Sequence, residues 1–92
     1  MVVYTVTYGN GYKYEVDRWE TDEGIFSKKT AAIKQAEEVF YGNGHVVFEK
    51  RSDGCDPWAA VQRVVVDKPQ HGYKTVFSIS VSAGPRHFKV YG

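Results

Sequence analysis

The chain holds a single cysteine, Cys55, among its 92 residues. No disulfide can close within it, which excludes a small secreted scaffold stapled by bridges. No apolar run approaches the roughly 18 residues of a membrane-spanning helix. The opening residues, Met1–Thr5, carry neither a basic region nor an apolar stretch of signal length, so the expected location is the cytoplasm, without membrane association. Charge of one sign is not in excess: 12 basic and 11 acidic side chains leave a net charge of +1. That balance excludes an acidic mimic of nucleic acid and is too even to predict nucleic-acid binding from bulk charge.

Chemistry-bearing patterns are equally scarce. His45, His71 and His87 lie far apart and share no metal-ligand spacing. Asp53, Cys55 and Asp56 are close, but they have the composition of a turn and mix hard with soft ligands. The chain has no phosphate-cradling glycine loop, nucleophile elbow or paired-acid motif. Cys55 is flanked by two aspartates whose charge opposes thiolate formation. The expectation is a protein that is not an enzyme, with no catalytic residue, no cofactor and no metal.

What is present suits a single α+β domain over residues 1–92, of a size that supports only one core. Aromatic residues make up 15% of the chain, including seven tyrosines, and such residues favour strands. Val2, Tyr4, Val6 and Tyr8 alternate with Val3, Thr5 and Thr7, the pattern of a strand with its bulky face inward. Gly9-Asn10-Gly11 reads as a tight hairpin turn, because Asn-Gly supplies positive φ values, and the return strand is expected over Tyr12–Trp19. Ser27 is a candidate N-cap. Ala32, Ile33, Ala36, Val39 and Phe40 then fall on one helical stripe over Lys28–Tyr41, with Gly42 as terminator.

A third strand is expected over His45–Arg51. Asp56-Pro57 resembles a helix start, but the β-branched run Val61, Val64, Val65, Val66 predicts a strand over about 60–67, entered through at most one helical turn. Alternation predicts a strand over Tyr73–Ala83, with Tyr73, Thr75, Phe77, Ile79 and Val81 on one face, and a last strand over Arg86–Tyr91. The expected order is β-β-α-β-β-β-β: a two-layer fold in which an antiparallel sheet packs on one main helix. One such helix cannot cover six strands, so either the sheet curls or a partner covers part of it.

Three groups are candidate binding residues. Trp19 and Trp58 sit at the ends of their elements, where rings serve as interface anchors, and Trp58 in its loop is the better placed. Lys28 and Lys29 open the helix while Glu37 and Glu38 stand near its end, against the macrodipole, an arrangement that suits an anion near the free N–H groups. Arg86, His87, Lys89 and Tyr91 form a basic-aromatic group at the end of the chain, suited to phosphates and bases. Tyr41–Phe48 also resembles the longer signature of RNA-recognition-motif domains at Gly42, Gly44, Val46 and Phe48. Asn43 and His45 stand where that family carries stacking aromatics, and the order of elements differs, so no role is carried over.

The functional expectation is a non-enzymatic module that binds another protein or a second copy of itself, anchored by Trp58 and Trp19. Its general character is that of accessory or inhibitor proteins of viruses and mobile elements, by analogy alone. The alternative is a weak nucleic-acid-binding domain using Lys28, Lys29, Arg86, His87, Lys89 and Tyr91.

Overall fold

Side-chain alternation along the first strand sets the frame on which the rest of the chain packs. The computed structural model describes residues 1–12, 19–52, 54–67 and 73–90. Strand β1 (Val2–Tyr12) and strand β2 (Trp19–Phe26) precede helix α1 (Lys29–Gly42). Strands β3 (Cys55–Val65), β4 (Tyr73–Ser80) and the two-residue β5 (Arg86–His87) follow. The five strands form one sheet in the order β2-β1-β3-β4-β5, and every neighbouring pair is antiparallel. This is the expected two-layer α+β architecture, an antiparallel sheet on one helix.

The inward face of β1 is the one its alternation predicts: Val6 and Tyr8 are buried, and Tyr4 packs against the core. Val6 is paired with Val61 and Tyr8 with Ala59, while Ala59 is paired with Ile79 and Val61 with Phe77. These rows meet the helix stripe Ala32, Ala36 and Phe40, all fully buried. Two alanines at that spacing let the helix lie close to the sheet, and Phe40 fills the space beyond them. Val47, after the helix, and Val90, after β5, pack against the same core. The segments after α1 and after β5 thus add to the cover that one helix gives the sheet.

Several boundaries differ from expectation, each for a physical reason. Gly9-Asn10-Gly11 is not a turn; β1 continues through it to Tyr12, paired with β3 as far as Cys55. The return strand is Trp19–Phe26, and the remainder of the expected Tyr12–Trp19 strand, residues 13–18, lies outside the described residues. Ser27 does not cap the helix; Lys28 takes that position with extended backbone and no side-chain capping bond. Gly42 is the last helical residue, Asn43 caps through its side chain onto the Val39 carbonyl at 2.7 Å, and Gly44 supplies the left-handed residue at φ +81°.

The third strand expected over His45–Arg51 is absent. Phe48 has φ +63°, incompatible with a strand, and the segment crosses from the end of the helix to β3. With no strand there, the resemblance at Tyr41–Phe48 ends at the level of sequence. The ambiguous segment is strand throughout, beginning at Cys55 with no helical turn. Pro57 is tolerated because its carbonyl accepts from Val81 N–H. A strand residue's N–H and C=O share one side, so its missing donor falls beyond Ser80, where β4 has ended. Asp56 accepts from the Ser82 hydroxyl (2.8 Å) and N–H (3.3 Å) instead of capping a helix.

The β3–β4 register shifts between Val61, paired with Phe77, and Gln62, paired with Thr75, which leaves Val76 of β4 as the extra residue. Val76 and Phe77 are both buried as a result, and Thr75 and Tyr73 are turned to the face opposite the helix. The single alternating face expected from Tyr73 to Val81 therefore holds only from Phe77 onward. The last strand is shorter than expected, two residues rather than six.

Candidate functional site

With the helix on one face, the opposite face of the sheet is left open, and the odd-numbered residues of β1 and even-numbered residues of β3 project there. Thr7 is paired with Ala60 and Thr5 with Gln62, so the floor is built of small and medium side chains. Larger groups rise around it: Trp58 from β3, Ile25 from β2 and Tyr73 from β4. Together they line a trough of about 620 Å³, and Glu20 and Asp22 of edge strand β2 close one side. Ile25 is 72% and Tyr73 56% exposed, so its walls are apolar and open to solvent. Among the described residues no basic side chain lines it.

Trp58 holds its place through an absence. It is paired with Gly9, and a Cβ on Gly9 would stand 2.5 Å from the Trp58 ring. Only a glycine lets the indole lie down on β1 between the two strands. Trp19 is on the other face, edge-on to Tyr8 with ring centroids 5.6 Å apart. The two tryptophans nevertheless approach the same end of the sheet and line a smaller depression with Asn10 and Glu20. Trp58 thus joins both concavities, and Trp19 only the smaller.

The basic residues are sorted differently. Lys29, His87 and Lys89 line one cavity of about 550 Å³ on the helix side of the sheet, joined by Arg63 and by the rings of Tyr4 and Phe88. Arg63 reaches it because it is paired with Tyr4 on the helix-facing side of β3. Sequence reasoning missed Arg63: it sits inside a valine-rich strand, and only the register reveals which face it takes. Arg86 is not part of this cavity; it pairs with Ser78 and places its guanidinium over the Phe88 ring, 5.4 Å from the centroid. Lys28 is at the N-cap, exposed, and outside the cavity lining. Tyr91 lies outside the described residues.

A third polar group stands where the helix ends. The Tyr8 hydroxyl is hydrogen-bonded to His45 Nε2, and the His45 ring packs on Phe40 at 5.2 Å between centroids. Burial pushes the Tyr8 phenol above its ordinary value, with Cys55 and Glu23 adding to it and Arg51 opposing. Burial, with a contribution from Arg51, holds His45 below its ordinary value, against the opposing charge of Glu49. Both groups are thereby kept neutral around pH 7, the state in which phenol can donate and imidazole accept. Cys55, expected in a loop, is the buried first residue of β3, and its thiol donates to Asn10 Oδ1. The His45 contacts fasten the helix end to the sheet, and the Cys55–Asn10 bond joins β3 to β1.

Among the described residues no group of three or more His, Cys, Asp or Glu is placed to hold a metal ion, and no helix is long and apolar enough to cross a membrane. No family model, curated protein or solved structure matches the chain.

Proposed function

We propose that the protein is an accessory interaction module whose helix-free sheet face receives a segment of another protein. The observation that supports this reading is the trough anchored by Trp58. A large ring fixed in place by Gly9 stands at the end of an open, apolar-walled concavity. A rigid aromatic surrounded by small side chains is the arrangement found at interface hot spots, because little entropy is lost when a partner closes over it.

The rim decides the chemistry of the occupant. Glu20 and Asp22 with no facing base favour a segment that sets an apolar side chain against Trp58, Ile25 and Tyr73 and flanks it with lysine or arginine. The same rim repels nucleic acid from this face. Pairing through the outer edge of β2 is disfavoured by its charges and by Gly24, whose φ is +131°. The partner therefore lies on the face rather than extending the sheet.

Selection from a displayed peptide library, followed by titration of the full chain with the selected peptides, tests this. Peptides pairing an apolar residue with flanking bases are expected to bind, to perturb tryptophan fluorescence, and to lose about tenfold or more in affinity in Trp58→Ala. Selected peptides without that pattern, or an affinity indifferent to Trp58→Ala, would overturn the reading. Concentration-dependent dimerisation abolished by Trp58→Ala would assign the trough to a second copy of the chain instead.

A further inference from the structure

The near-neutral total charge conceals a separation between the two faces of the sheet. The acidic rim of the trough lies on the open face, while Lys29, Arg63, His87 and Lys89 converge from α1, β3, β5 and the segment after it on the helix side. Among the described residues no acidic side chain lines that second cavity. The register adds an independent sign of unbalanced charge. Arg63 stands directly opposite Lys74 across the antiparallel β3–β4 pair, and like charges in that relation destabilise a sheet. Helix α1 begins at the same place with no acid in its first turn and no side-chain cap, so its positive end reinforces the field.

The remainder of the lining is not that of a bare ion site. Val76 and Val90 add apolar surface to the lining, and the aromatic residues Tyr4 and Phe88 share it with the bases. Its volume of about 550 Å³ falls within the roughly 300–1,000 Å³ of small-ligand pockets. Cations, aromatic residues and apolar surface in one lining suit an anion carried on a planar body. We propose that this cavity binds a nucleoside phosphate, either as a free nucleotide or as a unit of single-stranded nucleic acid. The phosphate pairs with Arg63, Lys29 and Lys89, and the base lies against Tyr4 and Phe88. This site is on the opposite face from the Trp58 trough and does not depend on the reading of that trough.

Amide NMR of the full chain, titrated separately with inorganic phosphate, adenosine monophosphate and a short thymidine oligonucleotide at low and physiological salt, tests the proposal. Saturable shifts are expected at Lys29–Ala32, Arg63 and 87–90, tighter for the nucleotide than for phosphate alone. Arg63→Gln, and separately Lys29→Gln with Lys89→Gln, are expected to weaken binding by about tenfold or more, whereas Trp58→Ala leaves it unchanged. Arg63→Gln also removes the repulsion from Lys74, so the free protein should melt no lower than the wild type.

An oligonucleotide that binds more tightly than the mononucleotide, with affinity falling steeply as salt rises, identifies single-stranded nucleic acid as the source. Equal affinities identify the free nucleotide. Absence of saturable shifts in this cavity with all three probes at low salt, phosphate binding no more weakly than the nucleotide, or binding indifferent to both charge-removing variants overturns the proposal.

Discussion

Trp58 lies on the backbone of Gly9, its paired residue on the adjacent strand, so closely that the position of one ring depends on the lack of one methyl group. In Gly9→Ala the new Cβ would meet the indole at 2.5 Å and the Trp19 carbonyl at 2.9 Å. The ring must leave the sheet or the strands must part. A loss of about 1–3 kcal/mol is expected, read as a lower urea midpoint, together with changed tryptophan emission. Adding Trp58→Ala should recover part of that loss, since the ring clash is relieved and the carbonyl clash is not; strictly additive losses would show that the contact is not the cause.

The helix is held chiefly by Phe40. It is fully buried, touches the His45 and Tyr41 rings, and belongs to the same core as Val6, Ile79 and Val81. Phe40→Ala should cost about 3–5 kcal/mol, a large share of the margin of a domain this small. The variant is expected to be partly unfolded at ordinary temperature by circular dichroism. By contrast Tyr41→Ala, on the exposed side of the same turn, should melt within a few degrees of the wild type.

These contacts also show which parts of the fold were legible in the sequence. Local periodicity was enough to place β1 and α1, where Val6 and Tyr8 on the strand and Ala32, Ala36 and Phe40 on the helix are buried as their spacing predicts. It failed at Gly9-Asn10-Gly11, because a glycine that makes room for a ring from another strand looks the same in sequence as one that makes a turn. It failed again at His45–Arg51, where Val46 and Phe48 suggested one face of a strand but Phe48 takes a left-handed backbone. The bulge at Val76 was hidden because a register shift leaves no compositional mark. Candidate residues followed the same rule. Trp58, Lys29, His87 and Lys89 were visible as types, while Arg63 became a candidate only when pairing with Tyr4 fixed its face.

Glu20 and Asp22 should govern how the trough selects its occupant without governing the fold. Both are exposed on edge strand β2, so replacing them with lysine should shift the melting temperature little. Affinity for basic-apolar peptides should fall, mostly through slower association, and the difference from wild type should shrink as salt screens the rim. Surface plasmon resonance at two ionic strengths separates these effects. An unchanged association rate at low salt would mean that the acidic rim does not steer the partner.

The Tyr8–His45 bond makes stability depend on pH in a direction that the two shifts fix. His45 binds a proton less readily folded than unfolded, so the unfolded chain gains protons first as pH falls. Its contribution is fully present above the ordinary histidine value of about 6.5 and is lost as pH drops through the lower folded value. Protonation also leaves Nε2 able only to donate, so that the bond then requires the Tyr8 oxygen as acceptor. Tyr8 acts at the other end of the scale: its raised value means that its contribution is complete below about pH 10 and fades as pH rises through the folded value. His45→Phe keeps a ring against Phe40 but cannot titrate or accept. The stability advantage of wild type over this variant, measured by urea midpoints, should therefore narrow or reverse between about pH 8 and about pH 5. A constant difference across that range would show that the bond does not couple proton binding to the attachment of the helix end.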